Sequence, residues 1–168
     1  MNNLSFQNLK SEHRLLLKKQ ISDLSSTDRE SKSNNINRHL KEKLQTAQGK
    51  WGAFISLPSE PQIVWSELNP QIRWYFVEVS NQSLVFKNES EVLEAHALQG
   101  ICIPALGFNV SGARLGRGGG FYDRALANYN GIKIGISYDF AVSEDRPFET
   151  HDIKVDVIVT DRRIVDAA

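Results

Sequence analysis

Sulfur is scarce in this chain: one cysteine and one methionine in 168 residues. A single thiol, Cys102, excludes an intramolecular disulfide and a cysteine-cluster metal site. It lies in the apolar run Ile101-Cys102-Ile103, which reads as buried core. Excess charge is missing too. Lys and Arg number 20 and Asp and Glu 20, so the formal net charge is zero. Proteins that live on nucleic acid usually carry a basic excess, so no nucleic-acid partner is expected. A local basic patch for a smaller anion stays compatible with this balance. No apolar run is long enough to span a membrane, so none is expected as a partner. Segment 1–7 lacks the charged and apolar regions of a secretory signal. A cytoplasmic monomer is the expectation.

What is present is ordinary for a globular protein: 40% hydrophobic and 24% charged residues. That composition excludes a disordered chain and a collagen. One domain over 1–168 is expected, long enough to bury a core.

The first fifty residues predict two helices. Phe6, Leu9, Leu16, Leu17, Ile21 and Leu24 recur at roughly helical spacing. Ser25-Ser26-Thr27 breaks the pattern, and Thr27 with Glu30 fits a capping box. Ile36, Leu40 and Leu44 give the second helix one apolar stripe, ended by Gln48-Gly49. From Trp51 the periodicity shortens. Strands are expected at 51–57, 73–79, 100–106, 133–138 and 155–160, with 84–86 as a hairpin partner of 73–79. Segment 63–68 predicts a short helix, and 89–98 is polar and helical or irregular. Near-continuous apolar strands separated by helices suggest an α/β domain with a mainly parallel sheet.

Six of the eleven glycines fall between Gly107 and Gly120. The dense part is Arg114-Leu115-Gly116-Arg117-Gly118-Gly119-Gly120-Phe121-Tyr122-Asp123-Arg124, between an expected strand and an expected helix over 121–127. Glycines there let a ligand approach the backbone. Successive N–H groups and a helix N-terminus form an anion site, and Arg114, Arg117 and Arg124 add charged donors. Phosphate is the obvious guest. The segment is not a Walker A loop, nor a good dinucleotide fingerprint.

The run from Ile103-Pro104 through Phe108-Asn109, Gly112 and Arg114 to Arg124 resembles the signature of the 5-formyltetrahydrofolate cyclo-ligases (5,10-methenyltetrahydrofolate synthetases). Lys10 and Arg14 resemble that family's N-terminal nucleotide motif. Segment 51–60 resembles its strand and substrate-binding glutamate, and His151-Asp152 through Thr160 its C-terminal segment. The stretch 73–99 matches weakly, and Asn109 stands where the family usually has Asp. The resemblance implies a three-layer α/β/α sandwich. It also implies an ATP- and Mg²⁺-dependent cyclisation of 5-formyltetrahydrofolate to 5,10-methenyltetrahydrofolate, releasing ADP and phosphate. Such chemistry needs positioning and charge neutralisation more than covalent help from the protein.

By that resemblance Lys10, Arg14 and the run Arg114, Leu115, Gly116, Arg117, Gly118, Gly119, Gly120, Phe121 and Tyr122 hold ATP. Ile55, Glu60 and Arg117 to Phe121 face the folate, with Glu60 accepting from the pterin N–H groups. Arg117 and Asp123 are the catalytic candidates, with Arg117 steadying the transferring phosphoryl group. Asp123 and Asp152 are the Mg²⁺ candidates, and Asp156 is a weaker one. Without the family, Lys10 and Arg14 read as a solvated helix face, and Asp123 as a first-turn helix acid. Tyr122 either stacks on a ring or fills the core, His13 packs, and Trp51, Trp65 and Trp74 are mostly core. The alternative function is a diverged member that binds nucleotide or folate without turnover. An unrelated phosphate-binding α/β enzyme has no sequence feature in its favour.

Overall fold

The computed structural model describes residues 3–167; Met1 and Asn2, part of the segment read for a signal, lie outside the described residues. Two helices come first, α1 (Asn3–Ser22) and α2 (Ser26–Lys43). Ser25, not Thr27, caps α2. Its backbone is extended, its Oγ accepts from the Asp28 N–H at 3.0 Å, and the same hydroxyl donates to Asp28 Oδ2 at 2.7 Å. Thr27 is already inside the helix and cannot serve.

The strands follow as β1 (Gly49–Ala53), β2 (Ile72–Ser80), β3 (Ser83–Lys87), β4 (Val92–Leu93) and β5 (Gly100–Pro104). After them come β6 (Gly107–Asn109), β7 (Arg114–Leu115), helix α3 (Phe121–Ala125), β8 (Ile132–Ile136), β9 (Val142–Ser143), β10 (Val157–Val159) and β11 (Ile164–Asp166). One eight-stranded sheet runs in the order β11-β10-β8-β5-β1-β2-β3-β4. Its central strands from β10 to β2 are parallel, and its edges are antiparallel. The β2–β3 hairpin is the one expected from 84–86, turned by Asn81 and Gln82, both at positive φ.

Alternation along the strands splits the core in two. On one face Trp51, Ala53, Cys102, Ile134, Ile136, Val157 and Val159 meet Leu17 and Ile21 of α1 and Ile36 and Leu40 of α2. Each fully buried Leu, Ile or Val side chain among these contributes about 1.5–3 kcal/mol. On the other face Tyr75, Phe86, Ile101, Ile103 and Ile158 pack with Phe108 and Leu126. The fold is therefore α/β with a mainly parallel central sheet, as expected. The second outer layer is only partly helical: α3, a 3-10 turn at Ala95–Ala97 and a small sheet of order β7-β6-β9. The strands of that small sheet are two or three residues long, too short to carry a periodic signal.

The topology also positions a site. From β1 the chain goes to β2 on one side, then returns to β5 on the other. The crevice beyond the carboxyl ends of β1 and β5 is a topological switch point, the usual ligand position in open α/β sheets. The loop after β1 holds Glu60, and the chain after β5 holds the glycine-rich run.

Candidate functional site

Two cavities lie at this edge, and they share Arg114 and Gly120. The first, of about 230 Å³, lies beneath the β2–β3 hairpin. Its walls are mostly apolar: Val77, Val79, Leu84, Pro104, Phe121 and Tyr122. Its polar groups are few. Glu60 is 8% exposed; its Oε2 accepts from the Leu57 N–H at 2.9 Å, and its Oε1 meets Arg117 Nη2 at 3.3 Å. Arg117 also donates to Ser59 Oγ at 2.9 Å, so one arginine bridges the glycine-rich run to the loop after β1.

The second cavity, of about 160 Å³, is lined by charge. Lys10 and Arg14 enter it from α1, Gly116 and Gly118 from the glycine-rich run, and Asp123 and Asp152 from the acidic side. Lys10 is 3% exposed, and its Nζ donates to Glu149 Oε2 at 2.8 Å and to both oxygens of Asp152 at 2.8 and 2.6 Å. Asp152 Oδ2 also accepts from the Glu149 N–H at 2.6 Å. Arg14 Nε donates to the Gly116 carbonyl at 2.9 Å, which ties α1 to the loop. Asp123 Oδ1 accepts from the Ile153 N–H at 3.0 Å.

Arg114 stands between the two. Its Nε donates to the Pro104 carbonyl at 2.9 Å, and its guanidinium lies 4.8 Å from the centre of the Tyr122 ring. Burial lowers its pKa from the usual guanidinium range, and burial raises that of the Tyr122 hydroxyl. The glycines have separate reasons. Gly118 sits at φ 108 with open space where a side chain would go, so its backbone alone requires glycine. A Cβ on Gly116 would stand 2.3 Å from Arg114 Nη1, so the guanidinium needs that space.

Of the residues expected in the site, most converge here. Lys10, Arg14, Arg114, Gly116, Gly118, Gly120, Asp123 and Asp152 line the charged cavity. Glu60, Arg114, Arg117, Gly119, Gly120, Phe121 and Tyr122 line the apolar one. Three expectations fall elsewhere. Ile55 is 76% exposed and lines neither cavity. The Leu115 side chain is buried in the core, which leaves only its backbone for a ligand. Asp156 caps the opposite edge of the sheet, accepting from the Lys133 N–H at 2.7 Å, so it is no metal candidate. The anion site also differs in origin. Helix α3 is five residues long, so its dipole is small, and the cationic groups are the side chains of Lys10, Arg14 and Arg114, of which Lys10 is paired with Glu149 and Asp152.

Sequence reasoning missed Glu149, because its partner Lys10 is 139 residues away. It also missed the hairpin wall, although β2 and β3 were expected strands. Asn109, an apparent departure, has a defined task. It is 5% exposed; its Nδ2 donates to the Glu144 and Arg146 carbonyls at 2.8 and 3.0 Å, and its Oδ1 accepts from the Ser111 N–H. Arg146 in turn meets His13 Nδ1 at 3.0 Å, between Lys10 and Arg14 on α1. Burial, and secondarily Arg146, lowers the His13 pKa.

The oxygen donors of Asp123 and Asp152 beside backbone N–H groups suit a hard divalent ion such as Mg²⁺ in their chemistry. Glu149, His151 and Asp152 bring ligand atoms within 4.8 Å of one another, and Asp123 lines the same cavity outside that group.

Comparison with known proteins agrees with this geometry. Residues 56–161 match the model of the 5-formyltetrahydrofolate cyclo-ligase family. A 5-formyltetrahydrofolate cyclo-ligase of Escherichia coli K12 is 36% identical over 77 residues, 44% of this chain and 42% of that protein. One of Mycoplasma pneumoniae is 35% identical over 95 residues, 54% of this chain and 57% of that protein. These matched stretches thus span about half the length of those relatives. The solved structure of a 5,10-methenyltetrahydrofolate synthetase from Mycoplasma pneumoniae superposes with a TM-score of 0.81 at 26% identity, covering 90% of this chain and 98% of that one. A synthetase of that name from Aquifex aeolicus gives 0.79 at 24% identity, covering 95% and 93%, a likeness of fold. The chain belongs to the 5-formyltetrahydrofolate cyclo-ligase family.

Proposed function

We propose that the chain catalyses the ATP-dependent cyclisation of 5-formyltetrahydrofolate to 5,10-methenyltetrahydrofolate, with release of ADP and phosphate. The observation that carries this reading is the meeting of two unlike cavities at Arg114 and Gly120. A flat, largely apolar ring system fits the hairpin cavity, and a polyphosphate fits the charged one. The reacting groups then meet at the shared wall.

In this reading Glu60 accepts hydrogen bonds from the pterin N–H groups, and Phe121 and Tyr122 pack against the ring. Arg14 and Arg114 hold the triphosphate, together with N–H groups of the glycine-rich run. Lys10 takes part as its hold on Asp152 is shared with the phosphates. The γ-phosphoryl group passes to the formyl oxygen, and ADP departs. Attack by N10 on the activated carbon closes the ring, the N10 proton passes to solvent or to the departing phosphate, and phosphate leaves with the former formyl oxygen. Arg117 carries charge at this junction, reaching Glu60 on one side and the glycines on the other. Asp123 and Asp152 would hold Mg²⁺, which would supply neutralisation of phosphate charge. The site lies at the rim of the sheet, and among the described residues no helix is long and apolar enough to cross a membrane.

The test is the rise of methenyl-folate absorbance. Purified chain is mixed with (6S)-5-formyltetrahydrofolate, ATP and Mg²⁺, beside Asp123→Asn. A rise that needs all three components and is strongly reduced in the variant supports the reading. Binding of both ligands with no rise replaces the enzyme with a non-catalytic binder.

A further inference from the structure

Glu149 takes no part in the reaction proposed above, yet it completes the surroundings of Lys10. An ammonium has three N–H donors. Those of Lys10 are all spent inside the protein, one on Glu149 Oε2 and one on each oxygen of Asp152. The Lys10 side chain is buried between these two acids. A lysine in this state has no donor left for a phosphate. To reach one it must release a carboxylate contact.

The two carboxylates are not equivalent. Asp152 lines the charged cavity with Asp123 as an Mg²⁺ candidate, so its oxygens have a second claimant. Its Oδ2 also accepts from the Glu149 N–H at 2.6 Å, whereas among the described residues Oδ1 has Lys10 as its hydrogen-bond partner. Glu149 Oε2 accepts from Lys10 Nζ at 2.8 Å and from Gln7 Nε2 at 3.1 Å, both from the first half of α1. The two acids also share one turn, in which the Asp152 N–H donates to the Glu149 carbonyl at 3.1 Å. The contact most readily released is therefore that between Lys10 and Asp152 Oδ1, with Glu149 still fixed beside α1.

We infer that Glu149 is a positioning residue for Lys10. It retains the ammonium in the charged cavity as Asp152 turns from Lys10 to Mg²⁺, and the freed donor turns to phosphate. This rests on the nucleotide reading above. Without the Glu149 charge, Asp152 is the one acid paired with Lys10 among the described residues. Its release to a metal then strands a buried ammonium, which holds Asp152 back.

The experiment is calorimetry of ATP binding without folate, once in EDTA and once in excess Mg²⁺. The ratio of the two dissociation constants measures what the metal adds. Glu149→Gln keeps the side-chain shape and removes the charge. It is expected to cut that ratio about tenfold, the scale of one charge-assisted hydrogen bond. The loss falls on the Mg-ATP measurement and spares free ATP. In a Lys10→Gln background the same substitution should leave the ratio in place, because Glu149 acts through Lys10. A ratio that Glu149→Gln does not change overturns the inference, including the case in which both affinities fall equally, as a merely structural role would give. A ratio cut as deeply without Lys10 also overturns it and points to direct metal ligation by Glu149. A structure of the Mg-ADP complex puts the same question to the unaltered chain. Lys10 Nζ should stay on Glu149 and leave Asp152 Oδ1; Nζ that stays on Asp152 and leaves Glu149 overturns the inference. No folate is present, so lack of turnover counts against the proposed reaction alone. ATP that binds under neither condition overturns the nucleotide reading and this inference together.

Discussion

The cavity under the β2–β3 hairpin and the cavity beside α1 share Arg114 and Gly120 and otherwise differ throughout. Apolar side chains from strands wall the first, and one buried carboxylate, Glu60, gives it a direction. Ions wall the second, brought from segments far apart in sequence: Lys10 meets acids 139 and 142 residues away. The difference teaches how a small fold divides two binding tasks. In the proposed reading, packing shapes a site for a ring, and a charge network shapes a site for phosphate. An arginine at the common wall couples them.

That division predicts which changes stay local and which spread. The largest effect is expected for Arg114→Ala, which removes the shared wall. Affinity for both ligands falls, and kcat drops about a hundredfold or more, as when an oriented donor is lost from a reacting centre. Steady-state assays with each substrate varied in turn check this. Loss confined to one substrate would break the idea of a shared wall.

Asn109→Asp comes next. It sets a carboxylate against the Glu144 and Arg146 carbonyls in a buried position, where an amide now donates to both. The expected cost is about 2 kcal/mol of stability, read by thermal or denaturant unfolding. Nucleotide affinity falls with it, since Arg146 leads on to His13 and α1. Folate affinity is spared.

The smallest effect is a pH response of the same connection. Burial and Arg146 lower the His13 pKa below 6.5, whereas Glu12 and Asp145 oppose them. The folded chain then binds fewer protons at this site than the unfolded chain. The contribution is fully present above about pH 6.5 and is lost as pH falls toward the folded-state value. Melting curves between about pH 7.5 and 5.5 should therefore fall less steeply for His13→Gln than for the unaltered chain.

Much of the scaffold was legible in the sequence. The stripe of Ile36, Leu40 and Leu44 is fully buried as its spacing required, and the run around Cys102 is a central strand. The glycine-rich run marked the site because unusual backbone and dense arginine are local signals. What escaped was non-local or short. Glu149 carried no motif, and β6, β7 and β9 have too few residues for a period. Ile55, expected to face the folate, lies in the run read as a strand over 51–57, yet the chain leaves β1 at Ala53 and turns it outward. Asn109 looked like a lost charge and is an amide in use.

The division of labour is tested most directly by calorimetry on two variants, each titrated separately with Mg-ATP and with 5-formyltetrahydrofolate. Glu60→Gln should lose about tenfold or more in folate affinity, the scale of a charge-assisted hydrogen bond, and keep its nucleotide affinity. Arg14→Ala should do the reverse. If either substitution weakens both ligands to the same extent, the two cavities are not separate sites and the account is wrong.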